Sequence, residues 1–146
     1  MGSIPWDKVR YFECHDFDDP DYPGSGDMID GTLLLMLDEM RHRTKWPLIP
    51  HGIVGGCVDV HGTHGHAERS YHRADRGCKA IDFHFVVDVE PRLQFYEITK
   101  AGFTGIGIYY DWKWNGKKVT GFHVDLRPKK ATQRWCRRAG NYVYLL

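Results

Sequence analysis

The chain has 146 residues, 42% hydrophobic and 14% aromatic, a size and composition that indicate one folded domain and exclude intrinsic disorder. No apolar run approaches the ~20 residues that span a bilayer, so we expect neither a membrane segment nor a signal peptide. The net charge is only +1, although acidic residues gather in the first thirty positions and basic residues in the last third. A basic end can attract an anionic polymer, but we favour partial pairing of the two ends and expect no nucleic-acid partner.

The chain begins with an arm, residues 1–26, which we expect to be irregular because Phe12 to Gly26 is rich in Asp, Pro and Gly. A helix capped by Asp27 and running to about Arg43 is predicted next. Its apolar face follows spacings of four, four and three residues: Ile29, Leu33, Leu37 and Met40.

The remaining pattern predicts mostly strands. We predict strands at 52–60, 79–87, 105–110, 119–126 and 141–146, a helix at 91–100, and a hairpin turn at Asn115-Gly116. The histidine-rich segment 61–77 shows no apolar periodicity and is predicted to be a loop. The sequence therefore predicts a single α+β domain over 1–146, a small antiparallel sheet with flanking helices on which the arm packs.

Cysteine and histidine counts bear on possible metal sites. The four cysteines lie far apart without a CxxC pair, which favours free thiols over a four-cysteine zinc site. The histidines are more informative, because four of the nine fall within twelve residues: His61, His64, His66 and His72.

Two predicted strands carry polar side chains opposite their apolar residues. Asp82 points away from the apolar side of its strand, and in GFHVDLR His123 and Asp125 share one face. A hydrolytic zinc site uses three protein ligands and leaves one position open for water. His72, Asp82 and His123 are therefore a candidate ligand set with Asp125 beside it. The alternative is a group of hydrogen-bonded surface side chains.

These stretches resemble a known family. SYHRADRGCKAIDFH resembles the Ser-x-His-x-x-Gly-x-Ala-x-Asp motif of the M15 peptidases, and GFHVDLR resembles their closing His-x-Asp segment. The likeness extends to GFTGIGIYYDW, a Gly-rich strand ahead of the final histidine, and to residues 28–50, where the family has its first helix and strand. The family contains zinc D-Ala-D-Ala carboxypeptidases and phage endolysins that cut peptidoglycan stem peptides, on a fold shared with the Hedgehog signalling domain.

The resemblance implies roles for individual residues. The implied zinc ligands are His72, Asp82 and His123. Ser70 matches the motif serine beside the substrate, and with Arg127 it is expected to bind a substrate carboxylate, unless Arg127 forms a structural ion pair. His66 is expected to stabilise the oxyanion, the alternative being a solvated loop histidine.

The interval between the first two implied ligands departs from the motif. His72 and Asp82 are three residues further apart than in the family pattern. A longer loop is tolerated if its ends stay fixed, because loop-closure entropy grows slowly with length. The extra residues leave Asp75 as a rival ligand, which we disfavour because its loop is less constrained than a strand.

The second departure concerns the general base. Thr120 stands where many relatives have a carboxylate three residues before the final histidine. We expect Asp125 to act as the base in its place, the alternative being that it orients a ligand. Asp111 and Glu68 are reserve candidates.

Other polar and aromatic residues receive weaker assignments. His84 is either a group that supports a ligand or an exposed side chain, and His61 and His64 have no assigned role. Four aromatic residues are expected to line a peptide groove: Tyr109, Tyr110, Trp112 and Trp114.

The resemblance thus implies a monomeric zinc peptidase, phage- or prophage-derived, that is made in the cytoplasm and acts on peptidoglycan at the bacterial cell wall. The scissile bond is left open between D-Ala-D-Ala, L-Ala-D-Glu and a cross-link. The main alternative is a non-catalytic zinc-containing binding module on the same fold. A histidine-rich metal carrier or nucleic-acid binder is a third, weaker reading.

Overall fold

A computed structural model describes residues 4–128 and 132–145 of the chain. They form α1 (Gly31–Thr44), α2 (Pro91–Thr99) and the strands β1 (Leu48–Pro50), β2 (Ala80–Phe85), β3 (Gly105–Trp114), β4 (Lys117–Asp125), β5 (Gln133–Arg138) and β6 (Asn141–Leu145). The sheet order is β1-β2-β4-β3-β5-β6, in which β3 and β5 are parallel and the other neighbours antiparallel. The α+β class is confirmed, but the purely antiparallel sheet is wrong because the unpredicted β5 adds a parallel pair.

The first helix has the predicted apolar face but a different start. Asp30 is its N-cap, with Oδ1 accepting the backbone N–H of Leu33 at 2.9 Å. Asp27, the predicted cap, lies instead in the short 3₁₀ turn Ser25–Met28. The predicted apolar face is buried: Ile29, Leu33, Leu37 and Met40.

Alternation along the central strands separates an apolar face of the sheet from a polar one. Ile81 and Phe83 of β2 are fully buried, as is Phe122 of β4, and they join the leucines of α1 in one core. Period-two alternation therefore turns Asp82 and His123 to the opposite face. The hairpin joining β3 and β4 turns at Asn115 and Gly116, whose φ angles of 50° and 75° are those that a tight hairpin turn needs.

The strand predicted at 52–60 is wrong. The chain makes a 3₁₀ turn at Gly52–Val54, and Gly55 then adopts a left-handed conformation with φ 82°, which reverses the backbone. The segment that follows pairs through an isolated bridge between Asp59 and Arg73. The loop carrying the histidines is thereby fixed to the segment that precedes β2.

The N-terminal arm packs on α1. The carboxylate of Asp38 accepts the backbone N–H groups of Arg10 and Tyr11, and Phe12 and Phe17 are buried in the core. Within residues 4–128 and 132–145, no ion pair joins the acidic arm to the basic C-terminal third. All four cysteines are free thiols, as expected, and neither helix of the described ranges is long and apolar enough to cross a bilayer.

Candidate metal centre

Donor atoms from three separate segments meet on the polar face of the sheet. Asp82 and His123 are directly opposite each other in the register of β2 and β4, and His72 comes from the loop before β2. His123 Nδ1 lies 3.0 Å from Asp82 Oδ1, and His72 Nε2 lies 3.3 Å from each of these two atoms. The structure therefore brings together the three residues that the sequence singled out as ligands.

The two histidines are oriented by hydrogen bonds from their other nitrogens. His72 Nδ1 lies 3.1 Å from the carbonyl oxygen of Cys57, and His123 Nε2 lies 2.7 Å from Asp125 Oδ2. Because both partners are acceptors, these nitrogens donate, and each neutral ring offers its remaining lone pair to the meeting point. Three acceptor atoms thus face one another, an arrangement that is repulsive unless a proton or a cation lies between them.

The spacing of these acceptors fits a small tetrahedral ion. Zinc–ligand bonds of about 2.0–2.2 Å place neighbouring ligand atoms roughly 3.3 Å apart in tetrahedral geometry. Two imidazoles and one carboxylate leave one position open, which is typical of catalytic rather than structural zinc sites. The residues present therefore suit zinc.

The longer loop between His72 and Asp82 is compact and fixed at both ends. Ala74–Arg76 forms a 3₁₀ turn, and the backbone N–H of Lys79 donates to the carbonyl of Tyr71 at 2.7 Å. The carboxylate of Asp75 pairs with Arg73 on the exposed side of this turn, its side chain 63% exposed. The geometry therefore favours Asp82 over Asp75 as the carboxylate of the site.

An Asp–His pair lies beside the three donor atoms. His66 stacks on His72 with ring centroids 4.1 Å apart, and its Nδ1 lies 2.8 Å from Oδ2 of the fully buried Asp59. His66 also offers a nitrogen within 4.8 Å of the donor atoms of His72 and Asp82. Burial and the neighbouring His72 lower the pKa of His66 despite the bond to Asp59. His66 is therefore placed to be a neutral ring next to the three donor atoms or a further ligand.

A second Asp–His pair joins His64 of the same loop to Asp19 of the arm, with 2.8 Å between Nε2 and Oδ1. Burial opposes the charged form of His64, but its hydrogen bond to Asp19 outweighs this and raises the pKa. Asp19 also accepts the backbone N–H groups of Asp21 and Val60. Its carboxylate thus orders the arm and the loop, and the Asp19–Asp59–His64 group needs no ion to account for it.

Asp125 lies on the far side of the His123 ring from the three donor atoms. Its Oδ2 is bound by His123 and by Arg127 Nη2 at 2.6 Å, and its Oδ1 by Arg127 Nε at 2.8 Å. Arg127 Nη1 also donates to Gln133 Oε1 at 3.2 Å. The geometry therefore favours a positioning role for Asp125 over its predicted role as a base, and an ion pair for Arg127 over a contact with substrate.

These contacts set the charges of the site. Burial by itself would raise the pKa of Asp82 and Asp125, but the neighbouring His72, His123 and Arg127 outweigh it, so that both pKa values fall below the usual range. For His123 burial acts in the opposite direction, and hydrogen bonds to Asp125 and Asp82 raise the pKa to about 9. In the absence of a metal, both ring nitrogens of His123 therefore carry a proton at neutral pH, and the ring is positively charged.

A cavity of about 260 Å³ opens beside the site, with Asp82 and His66 on its wall. Trp112 and Trp114 of β3 form part of its lining. His51 also lines it, stacked on Trp114 with 4.5 Å between ring centroids. Burial lowers the pKa of His51 to about 4, so this wall is uncharged near neutral pH. The cavity is thus part aromatic, with ionisable groups at His64, Asp82 and Lys113.

Several predicted residues have other partners. Ser70 accepts the backbone N–H of His72 at 3.3 Å and so helps fix that loop, but it does not line the cavity. Thr120 lines a hollow on the apolar side of the sheet with Gln94, which explains why it cannot supply the base. Asp111 binds Arg137, and Glu68 is exposed in the loop.

Some of the remaining predicted histidines and tyrosines lie near the cavity, and others do not. His84 is buried and bonded to His51, with 2.7 Å between His84 Nδ1 and His51 Nε2, whereas His61 is exposed. Tyr109 stacks on Trp112, while Tyr110 does not line the cavity. Of the predicted groove, the two tryptophans line the cavity directly.

Two residues of the site were missed by sequence reasoning. Asp59 stands between Val58 and Val60, a polar residue inside an apolar run, which is the same signal that identified Asp82. His51, between Pro50 and Gly52, carries no comparable signal, because its role depends on the hairpin that folds against it.

Comparison of the chain with family models, with curated proteins and with solved structures gives no match. The functional argument therefore rests on the geometry of the site and on the two local motifs.

Proposed function

We propose that this protein is a zinc-dependent peptidase that hydrolyses amide bonds in peptidoglycan stem peptides. The observation that carries the proposal is the convergence of His72 Nε2, Asp82 Oδ1 and His123 Nδ1 within 3.3 Å, with the other nitrogen of each ring already bonded to an acceptor. The substrate class rests on the likeness of the two motifs to M15 peptidases. The proposed place of action is the cell wall, reached by release from a cytoplasm or as part of a phage particle.

Zinc in such a site acts as a Lewis acid on a scissile carbonyl and makes water acidic enough to ionise near neutral pH. His66 is the group best placed to move the proton. Its Nδ1 is held by Asp59, so the opposite nitrogen is free to take a proton from the attacking water and pass it to the leaving amine. The lowered pKa of His66 keeps this nitrogen unprotonated at neutral pH, as a base requires.

The other residues orient the reactants. Asp125 and Arg127 hold the His123 ring, and the aromatic lining of the cavity excludes water from one side of a bound peptide. Lys113 lines the same cavity and offers a positive charge to a substrate carboxylate, a role that Arg127 cannot fill while it is bound to Asp125.

A second candidate function, a non-catalytic zinc-containing binding module, is favoured by one observation. No carboxylate besides the implied ligand Asp82 lines the cavity. Both oxygens of Asp125 are already bonded, and Thr120 lines a hollow on the other side of the sheet. In this module the Asp59–His66 pair would serve only to order the loop.

Hydrolysis of purified peptidoglycan with and without a chelator separates the two functions, with new amino termini as the measurement. We expect chelator-sensitive release within about pH 5–9, where a zinc-activated water and a histidine base are both competent. His66→Gln should lower the rate by roughly 10²-fold or more while zinc is retained, and the exposed-loop control His61→Gln should not. Zinc binding without release at any pH would overturn the peptidase and support the module.

A further inference from the structure

A second cavity, of about 380 Å³, lies next to the one at the metal centre. Trp114 lines both cavities, so a chain that leaves the first across this ring enters the second. Between them the turn Gly52–Val54 presents two exposed apolar side chains, Ile53 lining the second cavity and Val54 the first. The two cavities thus share the Trp114 ring as a common wall.

The second cavity combines apolar walls with acidic side chains. Ile49, Pro50 and Ile53 supply apolar lining, and Ile53 is 76% exposed. Asp16 and Asp18, from the arm, add carboxylates to the same lining. A cavity of this kind suits a ligand that is aliphatic along its length and positively charged at its end.

Within the described residues, the two carboxylates are bonded to backbone N–H groups rather than to lysine or arginine. Asp16 accepts the backbone N–H of Glu13, and Asp18 accepts those of Gly24 and Gly26. No lysine or arginine of residues 4–128 and 132–145 forms an ion pair with either of them. The His15 side chain, which is 71% exposed, lies with its Nε2 3.7 Å from Asp16 Oδ1.

An apolar partner would have to desolvate these carboxylates without replacing their water, which is costly. An ammonium group on a flexible aliphatic stem avoids that cost, because the stem covers the apolar walls and the charge pairs at the end. We propose that the second cavity binds a side chain of this class, long, aliphatic and ending in an amine, carried by the same peptide that is cleaved at the metal centre. The inference rests on the proposed function and names a specificity determinant of its substrate.

Binding of two synthetic peptides tests this inference. They carry the stem-peptide termini and differ only in one residue next to the scissile bond, lysine in one and norleucine in the other. Affinities are measured by calorimetry with zinc-free protein, so that cleavage does not interfere. The lysine peptide should bind about fivefold or more tightly than the norleucine peptide, and this preference should shrink at 1 M salt, where the Debye length is about 3 Å.

Variants assign the preference to the cavity. Asp16→Asn keeps an acceptor for the N–H of Glu13 and removes the charge, and it should abolish the preference for lysine. Asp7→Asn removes a charge from the same arm outside the cavity and should retain it. Ile53→Lys should weaken binding of the lysine peptide more than Leu93→Lys, which changes another exposed apolar residue, on α2 and outside the cavity lining.

The outcomes separate this inference from the peptidase proposal. Equal affinity for both peptides, unchanged by Asp16→Asn, overturns the amine-binding cavity and leaves the peptidase standing. A lysine preference without hydrolysis by zinc-loaded protein supports the cavity and overturns the peptidase. Absence of binding by either peptide overturns the amine-binding cavity, and release of amino termini from peptidoglycan by the zinc-loaded protein then decides the peptidase separately.

Discussion

Replacing Asp125 with asparagine should weaken zinc binding although Asp125 is not placed to touch the ion. Its carboxylate is fully buried and accepts from His123 Nε2 at 2.7 Å and from Arg127 at 2.6 and 2.8 Å. Asparagine has one acceptor oxygen, so its NH₂ group must oppose a donor of Arg127 in either orientation, and His123 as well in one of them. Loss of a group that orients a ligand typically costs about 10–100-fold in metal affinity. Removing one member of a buried ion pair costs about 3–5 kcal/mol of folding stability.

Zinc affinity is measured by competition with a chromogenic chelator, and the free energy of unfolding by urea titration of the metal-free protein. Asp111→Asn is the matched control, because Asp111 also pairs with an arginine, Arg137, at 3.1 Å but does not line the cavity at the metal centre. It should leave zinc affinity within about twofold of the wild type. If Asp125→Asn bound zinc as tightly as the wild type yet lost hydrolysis, Asp125 would be the base and the positioning role would be refuted.

Four further predictions are made, three from the candidate metal site and one from the packing of the sheet. Zinc binding should release one proton at neutral pH, because the pKa of His123 is raised to about 9, and calorimetry in buffers of different ionisation enthalpy measures this number. The same raised pKa stabilises the metal-free fold below about pH 6.5, and this contribution is lost as the pH rises through about 9, which urea midpoints across that range test. Asp82→Asn should abolish tight zinc binding while Asp75→Asn retains it; metal analysis showing the reverse would move the carboxylate ligand to the loop. Gly121→Ala places a Cβ in overlap with the Trp112 ring and should destabilise the fold by about 1–3 kcal/mol, so an unchanged urea midpoint would contradict the described position of the ring.

Local pattern was sufficient for the elements that define the polar face. Alternation in β2 and β4 placed Asp82 and His123 opposite the apolar residues, and Asn115-Gly116 marked the hairpin, because side-chain period and turn chemistry are properties of a few neighbouring residues. The spacing of the apolar residues also predicted the buried face of α1. Its cap was misplaced by three residues, since Asp27 and Asp30 are both competent caps and tertiary contacts select between them.

Long-range contacts decided what the pattern did not show. β5 carries three arginines and little apolar surface, and it becomes a strand because β3 and β6 supply partners on both sides. The left-handed conformation of Gly55 reverses the chain where a strand was predicted, and the composition of the segment does not reveal this.

The sequence by itself determined the class of fold and the polar face that carries Asp82 and His123, since these depend on side-chain period and on residue type. Only the tertiary structure decided what surrounds them. It bound Asp125 to Arg127, placed the buried Asp59 behind His66, and aligned two cavities along Trp114. Residue type and spacing allow contacts such as that of Asp125 with Arg127 but do not select them, because hydrogen bonds and shared walls are set by distance in space.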